Sequence, residues 1–312
     1  MIIRFWGVRG SLPAPLTPQQ IQAKMNAIVQ RITPEDIASP EARERFMANL
    51  PEWLYGTVGG NTPCIELTTS KQTKIIFDAG TGIRALGKLG LPPEDLHYNL
   101  LFSHFHWDHI QGLPFFDAAY NPRATFDLYS PVANFREFLS NQMIQPYYPV
   151  TFAAFTKNMH CHQVTEGEGF AVGDAIVHTV RMSHPGGSYA YSVEENGRKF
   201  VYATDVELQT VDFEHTAARA AVFQNADAIV IDSQYTVEEA YHKQNWGHSA
   251  FCYAIDFAVA WKIKKLYLFH HEPTYDDRKL HQILQSARWY ANYISHDDVE
   301  VYLSIEGQEI QL

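Results

Sequence analysis

The sequence has few cysteines, no long apolar segment and no excess of basic charge. Its three cysteines are odd in number and widely spaced, so they predict neither a disulfide scaffold nor a Cys-x-x-Cys metal site. No apolar run approaches the roughly 20 residues that a membrane span needs. The N-terminal stretch MIIRFWGVRGSLP is too short and too interrupted to serve as a signal peptide. These absences predict a cytoplasmic protein with no membrane partner.

The charge balance argues against a surface that binds long nucleic acids. With 24 basic and 35 acidic residues, the formal net charge is -11, and no cluster of lysine and arginine is present. Proteins that bind nucleic-acid polymers usually neutralise phosphates with a basic face. The composition therefore favours a small substrate over a polymer, although bound metal ions would add local positive charge.

The pattern of apolar residues predicts an α/β fold of two layered sheets rather than a doubly wound parallel sheet. Short apolar runs recur and end at glycine, asparagine or aspartate, with few helical segments between them. Helical periodicity is clearest in residues 249–262 and 277–295. Without a repeat or a low-complexity linker, residues 1–312 are predicted to form one domain. The predicted strands are residues 2–6, 64–68, 74–77, 99–102, 125–129, 175–180, 189–193, 200–202, 228–231, 265–269 and 299–305.

Residues 14–55 stand apart from this pattern. Pro18, Pro34 and Pro40 mark three helix starts, because proline suits the first turn of a helix. The segment lies between two strand-like stretches. It is therefore predicted to form a helical insertion near the N-terminus.

Residues 131–155 combine a short predicted helix with a group of aromatic side chains. These aromatics either pack the segment onto the body of the protein or form a lid that faces a substrate, since binding pockets are also lined in this way. Both interpretations stay open from the sequence. The residues are Tyr147, Tyr148, Phe152 and Phe155.

The stretch NLLFSHFHWDHIQGLPFF concentrates metal-binding residue types directly after a predicted strand. The strand leads into His104-x-His106-x-Asp108-His109. His104 and His106 are two residues apart, so at a strand end both side chains point to the same side. The chain can then turn and present Asp108 and His109 to a second, nearby point. Imidazole nitrogen and carboxylate oxygen are ligands that Zn²⁺ prefers, so the stretch predicts a metal site.

The His-x-His-x-Asp-His pattern is the signature of the metallo-β-lactamase superfamily, which this sequence resembles over most of its length. That family has three further ligands after later strands, and His184, Asp205 and His270 match them in order. His271 is the alternative to the last of these, and register with the preceding strand favours His270. The segments GVRGS, GGNTPCIEL and FDAGTGI are similar to the family's first strands and turns.

The resemblance implies a four-layer αββα sandwich that holds a dinuclear metal centre. Zn²⁺ is the expected ion and Mn²⁺ the alternative, because imidazole-rich sites accept both. Asp78 is interpreted either as a hydrogen-bond partner of a ligand or as a turn residue before Gly80. In the implied ligand sets, His104, His106 and His184 hold one metal, Asp108, His109 and His270 hold the other, and Asp205 bridges both.

The stretch GHSAFCYAIDFAVAWKIKKLYLFHHEP resembles one branch of the superfamily, which contains tRNase Z and small-molecule cyclic phosphodiesterases. In that branch a His-Ser-Thr-like turn begins a helix, and Ala250 stands here in place of the threonine. The resemblance implies that Asp232 pairs with His248, which protonates or stabilises the departing alkoxide. The alternative is that His248 only caps the helix that follows it.

This branch implies hydrolysis of a small phosphodiester, such as a cyclic nucleotide, by a hydroxide that bridges two metals. The implied catalytic residues are Asp108, His248 and Asp232. A tRNase Z-like 3′ endoribonuclease is one alternative, but the sequence has no basic arm rich in glycine, lysine and arginine. Lactone or thioester hydrolysis at the same site is another. A ligand-sensing module is less favoured because every metal position is filled, and a homodimer is compatible with the sequence.

Overall fold

The chain is described by a computed structural model over residues 1–155, 158–295 and 298–312. Its strands form two mixed sheets of seven strands each. The first sheet contains β1 (Ile2–Gly7), β2 (Cys64–Thr68), β3 (Lys74–Phe77), β4 (His97–Leu101), β5 (Thr125–Ser130), β6 (Met159–Gln163) and β14 (Glu309–Gln311). The second contains β7 (Phe170–Val172), β8 (Ala175–Met182), β9 (Ser188–Glu195), β10 (Arg198–Ala203), β11 (Ala228–Asp232), β12 (Lys265–Phe269) and β13 (Glu300–Leu303). The α-helices are α1 (Pro18–Val29), α2 (Pro40–Ala48), α3 (Glu52–Tyr55), α4 (Gly82–Leu89), α5 (Trp107–Ile110), α6 (Phe135–Asn141), α7 (Phe152–Phe155), α8 (Ala217–Phe223), α9 (Val237–His242), α10 (Phe251–Ala260) and α11 (Asp277–Ser295).

Each sheet is antiparallel in one half and parallel in the other. The first runs in the order β14-β1-β2-β3-β4-β5-β6 and is parallel from β3 onward. The second runs in the order β13-β12-β11-β10-β9-β8-β7 and is parallel from β13 to β10. Because β9 is antiparallel to both of its neighbours, β8 points in the same direction as β10. The carboxyl ends of β8, β10, β11 and β12 therefore lie at one edge of the second sheet.

The central strands of the first sheet carry apolar side chains on both faces, because each face packs against another layer. In β3, Ile75 and Phe77 pack against residues of the second sheet, whereas Ile76 packs on the opposite face. This alternation follows from the two-residue period of a strand. Helix α4 covers the outer face, where its Ile83 joins the same cluster as Ile76.

Helices α10 and α11 cover the outer face of the second sheet. The buried residues of α11 include Leu280, Ile283, Leu284 and Ala287, a spacing of three and four that forms one apolar face. In the described ranges, no helix has the length and apolar character that crossing a bilayer requires. The layers follow the order helix, sheet, sheet, helix, so the predicted αββα sandwich is confirmed.

The helical insertion predicted near the N-terminus is also confirmed. Helix α1 begins at Pro18, behind a capping box in which Thr17 and Gln20 exchange hydrogen bonds between side chain and backbone. The insertion is tied to the body by an ion pair between Lys24 and Asp277, the first residue of α11. Helices begin at Pro18 and Pro40 as predicted, whereas the predicted start at Pro34 gives only a three-residue 3₁₀ turn, Glu35–Ile37.

The aromatic side chains of the second segment divide between packing and exposure. Phe152 is buried against the outer face of the first sheet, and the Tyr148 hydroxyl donates to the Pro114 carbonyl over 2.8 Å. Tyr147 is 79% exposed and lines a cavity. The side chain of Phe155 lies outside the described part of the chain. The packing interpretation therefore applies to Phe152 and Tyr148, and a substrate-facing role stays a prediction for Tyr147.

Candidate metal centre

The residues predicted as metal ligands all lie just beyond the carboxyl ends of strands. The first sheet contributes the loop after β4, and the second contributes residues after β8, β10 and β12. Because these strand ends share an edge, residues that are distant in sequence become neighbours. The seven residues that the structure brings together are His104, His106, Asp108, His109, His184, Asp205 and His270.

Four side chains form a first group, whose potential ligand atoms all lie within 4.8 Å of one another. Nε2 of His184 lies 3.2 Å from Nδ1 of His106, and Nε2 of His104 lies 3.5 Å from Oδ2 of Asp205. His104 and Asp205 are buried, whereas His106 is exposed. The first group is therefore open to solvent on the side of His106.

A second group consists of Asp108, His109, His270 and again Asp205, all of them buried. Nε2 of His109 and Nε2 of His270 each lie 3.1 Å from Oδ1 of Asp205. The same two nitrogens each lie 3.2 Å from Oδ2 of Asp108. Asp205 therefore presents Oδ2 to the first group and Oδ1 to the second, which is the placement that a bridging carboxylate needs.

The side chains of the two groups suit a bound divalent cation, because their contacts with one another leave some buried nitrogens in the described part of the chain without a hydrogen bond. Within the described residues, the buried Nε2 atoms of His104 and His109 have no hydrogen-bond partner. Such an atom is unfavourable unless something else satisfies it. Burial opposes a charge on His109, but the carboxylates of Asp108 and Asp205 outweigh it and raise the pKa of His109 well above its usual range. The cluster thus attracts positive charge, and its mixture of imidazole and carboxylate suits Zn²⁺ or Mn²⁺.

Asp78 orients two of the candidate ligands. Its Oδ2 accepts hydrogen bonds from Nδ1 of His109 and from the Tyr202 hydroxyl, each over 2.8 Å. The Ser103 hydroxyl donates to the same carboxylate over 2.6 Å and lies 3.0 Å from Nδ1 of His104. With Nδ1 occupied in both rings, Nε2 is the nitrogen that faces the centre. The geometry therefore favours the interpretation of Asp78 as a hydrogen-bond partner of the ligands.

Two partners that the sequence did not indicate orient His184 and His270. Nδ1 of His184 lies 2.8 Å from the Gly247 carbonyl, and Nδ1 of His270 lies 3.0 Å from Oε1 of Gln234. Gly247 has φ +91°, and a Cβ at this position would come within 2.3 Å of Nδ1 of His184. Only glycine fits such a close approach with this backbone. The pairs are 63 and 36 residues apart in sequence, so no local pattern reveals them.

The turn that contains Gly247 is held in place by Glu207. One carboxylate oxygen accepts the Asn245 amide and the other accepts the Gly247 amide, each over 2.9 Å. Glu207 follows Asp205 by two residues. One short segment after β10 thus supplies a candidate ligand and also fixes the turn behind His184.

His270, rather than its neighbour, faces the centre. Nε2 of His271 lies 2.9 Å from the carbonyl of Ser304, which follows β13. Burial lowers the pKa of His271 to about 3, so this ring is neutral near pH 7. Among the described residues, the ligand groups include His270 and omit His271. The choice made from strand register therefore agrees with the geometry.

His248 lies beside the second group and pairs with Asp232. Its Nδ1 is 2.6 Å from Oδ2 of Asp232, and its ring stacks on His270 with centroids 4.8 Å apart. Burial opposes protonation of His248, but the Asp232 carboxylate outweighs it and raises the pKa to about 9. Helix α10 begins at Phe251, behind Ala250 as its N-cap. His248 is therefore not the capping residue of that helix.

The region that contains these groups also identifies the family. A sequence model described as the beta-lactamase superfamily domain matches residues 73–271, which include all seven candidate ligands. The chain belongs to the beta-lactamase superfamily. The family predicted from the His-x-His-x-Asp-His motif is thereby confirmed, and members of this superfamily are metal-dependent hydrolases. No curated protein matches the chain.

Solved structures share the superfamily fold with this chain at low sequence identity. The metallo-beta-lactamase fold protein YhfI from Bacillus subtilis has a TM-score of 0.65 and 16% identity, with 99% of this chain and 98% of that chain covered. The short form of human tRNase Z has a TM-score of 0.63 and 18% identity, with 100% and 99% covered. A diphosphatase from the PhnP family has a TM-score of 0.62 and 15% identity, with 100% and 97% covered. The predicted resemblance to tRNase Z is therefore confirmed for the fold.

Three residues of the site in this superfamily member have a left-handed backbone. The φ angles of Asp78, Asp205 and His270 are 56°, 50° and 60°. For residues other than glycine this conformation costs roughly 1 kcal/mol or more. Each of the three lies directly after or close to the end of a strand, where the chain must turn sharply. The surrounding fold therefore holds these side chains in place against their local preference.

Proposed function

We propose that this protein is a dinuclear metal-dependent phosphodiesterase that hydrolyses a small phosphodiester, such as a cyclic nucleotide. In this proposal each ligand group holds one divalent cation, and Asp205 bridges the two. Zn²⁺ is the expected ion and Mn²⁺ the alternative. The proposal is supported by the two adjacent groups that share one carboxylate. Two-metal hydrolases of phosphate esters need such a pair of sites.

The side chains of the first group meet the requirement of a metal site at neutral pH. When bound, two divalent cations supply an activated water and neutralise the charge that develops on phosphate oxygens. Imidazole must be neutral to act as a ligand. Burial lowers the pKa values of His104, His106 and His184, so these three rings are neutral near pH 7.

The pairing of His248 with Asp232 is the observation that favours a phosphodiester over a thioester; the comparison of substrates below separates a phosphodiester from a lactone. The 2.6 Å contact occupies Nδ1 of His248, so Nε2 is the ring nitrogen that can meet a leaving group. Its stacking on His270 places the ring at the edge of the centre. A phosphodiester expels an alkoxide, which departs more readily when a positioned acid donates a proton. A thioester expels a thiolate, which leaves without that proton, so thioester hydrolysis would make little use of His248.

The test compares substrate classes on protein reconstituted with Zn²⁺ or Mn²⁺. We expect hydrolysis of bis(p-nitrophenyl) phosphate and of at least one cyclic nucleotide, with little turnover of a lactone or a thioester. Cleavage of precursor tRNA without hydrolysis of any small diester would instead support the endoribonuclease. Turnover of the lactone or thioester alone would contradict the proposal.

A variant of His248 tests the role of this residue within the proposed reaction. His248→Gln should lower kcat by about 10²- to 10⁴-fold for a diester with an alkoxide leaving group. The loss should be smaller for p-nitrophenolate, which departs without protonation. His281→Gln, at a half-buried position of α11 outside both ligand groups, is the matched control. Loss of metal from His248→Gln, or equal losses for both leaving groups, would contradict the assigned role.

A further inference from the structure

A cavity of about 910 Å³ opens beside the first ligand group. It lies between the loop that carries His104 and His106, helix α6 and the Gly186–Gly187 turn. Ligand pockets for small molecules have volumes of roughly 300–1,000 Å³. The cavity is therefore large enough for a ring system attached to a phosphate that sits at the candidate metals.

Several aromatic side chains line this cavity, and one of them packs against further aromatic rings of the body. Two of these side chains come from separate segments of the chain. Trp107 is 82% exposed and Tyr147 is 79% exposed. Phe138 packs against Phe105 with centroids 5.5 Å apart, and Phe105 stacks on the buried Phe102 at 5.6 Å. Large aromatic side chains that converge on one exposed concave surface mark a binding site.

The lining of the cavity offers no partner for a second charged group. Among the described lining residues there is no lysine, arginine, aspartate or glutamate. Beside the histidines, the polar groups of the lining are the Trp107 indole, the Tyr147 hydroxyl and the amides of Gln111, Asn141 and Gln142. An additional phosphate would lose water here without gaining a cation. An uncharged ring would bury its faces against the aromatic lining without leaving a charge unpaired.

We infer that this cavity binds a flat, uncharged aromatic group of the substrate and selects against substrates with a second phosphate. The inference rests on the proposed function, since it places the phosphodiester at the two ligand groups and the ring beside them. Aromatic rings from separate segments of the chain line the cavity and provide stacking surfaces for such a group. The preferred substrate is thus a singly charged diester with one aromatic substituent.

The test measures binding directly, so that it does not depend on turnover. Methyl phenylphosphonate and methyl methylphosphonate carry the same single charge and differ only in having a phenyl or a methyl group on phosphorus. Titration calorimetry on the metal-loaded protein should show about 10- to 100-fold tighter binding of the phenyl compound. Methyl 4-sulfophenylphosphonate, with a second negative charge on the ring, should lose most of that advantage.

Variants on two separate segments show whether the preference comes from the cavity. Phe138→Ala and Tyr147→Ala should each reduce the ratio of the two affinities by about threefold or more, with metal content unchanged. Trp289→Ala is the matched control, because Trp289 is 69% exposed and stacks on Tyr293 in α11. Trp107 is left intact in this test, since both of its neighbours in sequence are candidate ligands.

The possible results separate the inference from the proposed function. Equal affinity for the phenyl and methyl compounds, or tighter binding of the sulfonated one, overturns the inference even if diesters are hydrolysed. A phenyl preference that both variants weaken supports the inference. The same preference in a protein that hydrolyses no diester would contradict the proposed function and leave the aromatic cavity established as a binding site.

Discussion

Glu207→Gln is expected to weaken metal binding at the first ligand group, although Glu207 is not itself a candidate ligand. The carboxylate of Glu207 accepts the backbone amides of Asn245 and Gly247, each over 2.9 Å. The Gly247 carbonyl in turn holds Nδ1 of His184 over 2.8 Å. The substitution removes the charge and retains the shape of the side chain. Its effect should therefore pass through the turn to the orientation of His184.

The size of the effect can be worked from these two hydrogen bonds. A glutamine side chain keeps one oxygen but turns an amide donor toward the second backbone N–H, so one bond is lost. A hydrogen bond to a charged group contributes about 1.5–3 kcal/mol. Glu207 is half-buried, so the lower end of this range applies. About 1.5 kcal/mol corresponds to roughly tenfold weaker binding of the first cation.

The measurement is a competition titration of metal-free protein with Zn²⁺ against a chromophoric chelator. Glu238→Gln removes the same charge from an exposed position on α9, just before the same turn, and serves as the control. The titration gives one Zn²⁺ affinity for each ligand group. We expect one of these two affinities to fall in Glu207→Gln and neither to fall in Glu238→Gln. Two affinities within about twofold of the wild type in Glu207→Gln would refute the coupling between the turn and the ligand.

Asp205→Ala should lose both cations and all activity, because its two oxygens serve both groups, and metal analysis that still finds two equivalents would contradict the bridging role. His270→Ala should lose one cation, whereas His271→Ala should keep both and lower the free energy of unfolding by roughly 1–3 kcal/mol, since it leaves a buried carbonyl unpaired. Burial opposes ionisation of Glu239, but hydrogen bonds, foremost from Lys279, outweigh it and lower its pKa from 4.5 to about 2. Its stabilising contribution is therefore complete above pH 4.5 and is lost as the pH falls toward 2, so the difference in Tm between the wild type and Glu239→Gln should shrink over that interval.

The parts of the molecule that the sequence predicts well are those with a local signal. Four potential ligands within six positions follow one apolar strand, and this density indicates a metal site without knowledge of the fold. Helix α11 covers Asp277–Ser295, as its three-and-four spacing of apolar residues predicts. The prediction of α10 began two residues early, at Ser249, because Ser249 hydrogen bonds to the Val206 carbonyl outside the helix.

Three strands were not predicted, and all three lie at the edge of a sheet. These are β6, β7 and β14, which are three to five residues long and largely exposed or half-buried. An edge strand pairs on one side only, so its apolar pattern is weak. The sequence therefore identifies the middle of each sheet better than its limits.

Asp78 and Asp232 were offered as supporting residues from the sequence, but the supports of His184 and His270 could not be predicted, because these partners are remote in sequence. Gln234 and Gly247 act on histidines that only the packing of the second sheet brings near. Whether an aromatic side chain faces the core or the solvent was likewise not predictable from the sequence. Tyr147 and Phe152 belong to one aromatic segment, yet the first faces solvent and the second lies in the core.

The left-handed backbone at Asp78, Asp205 and His270 has a consequence for how this chain would change if selection for metal binding were lifted. Glycine adopts such angles freely, whereas aspartate and histidine enter this region more often than most residues but still at a cost. Glycine in place of Asp205 or His270 would relieve that strain. Asp78 would be retained, because its carboxylate accepts hydrogen bonds from buried Ser103, His109 and Tyr202. Among descendants of this protein, glycine in place of Asp205 or His270 beside an unchanged Asp78 would therefore mark lineages that have lost the metal centre.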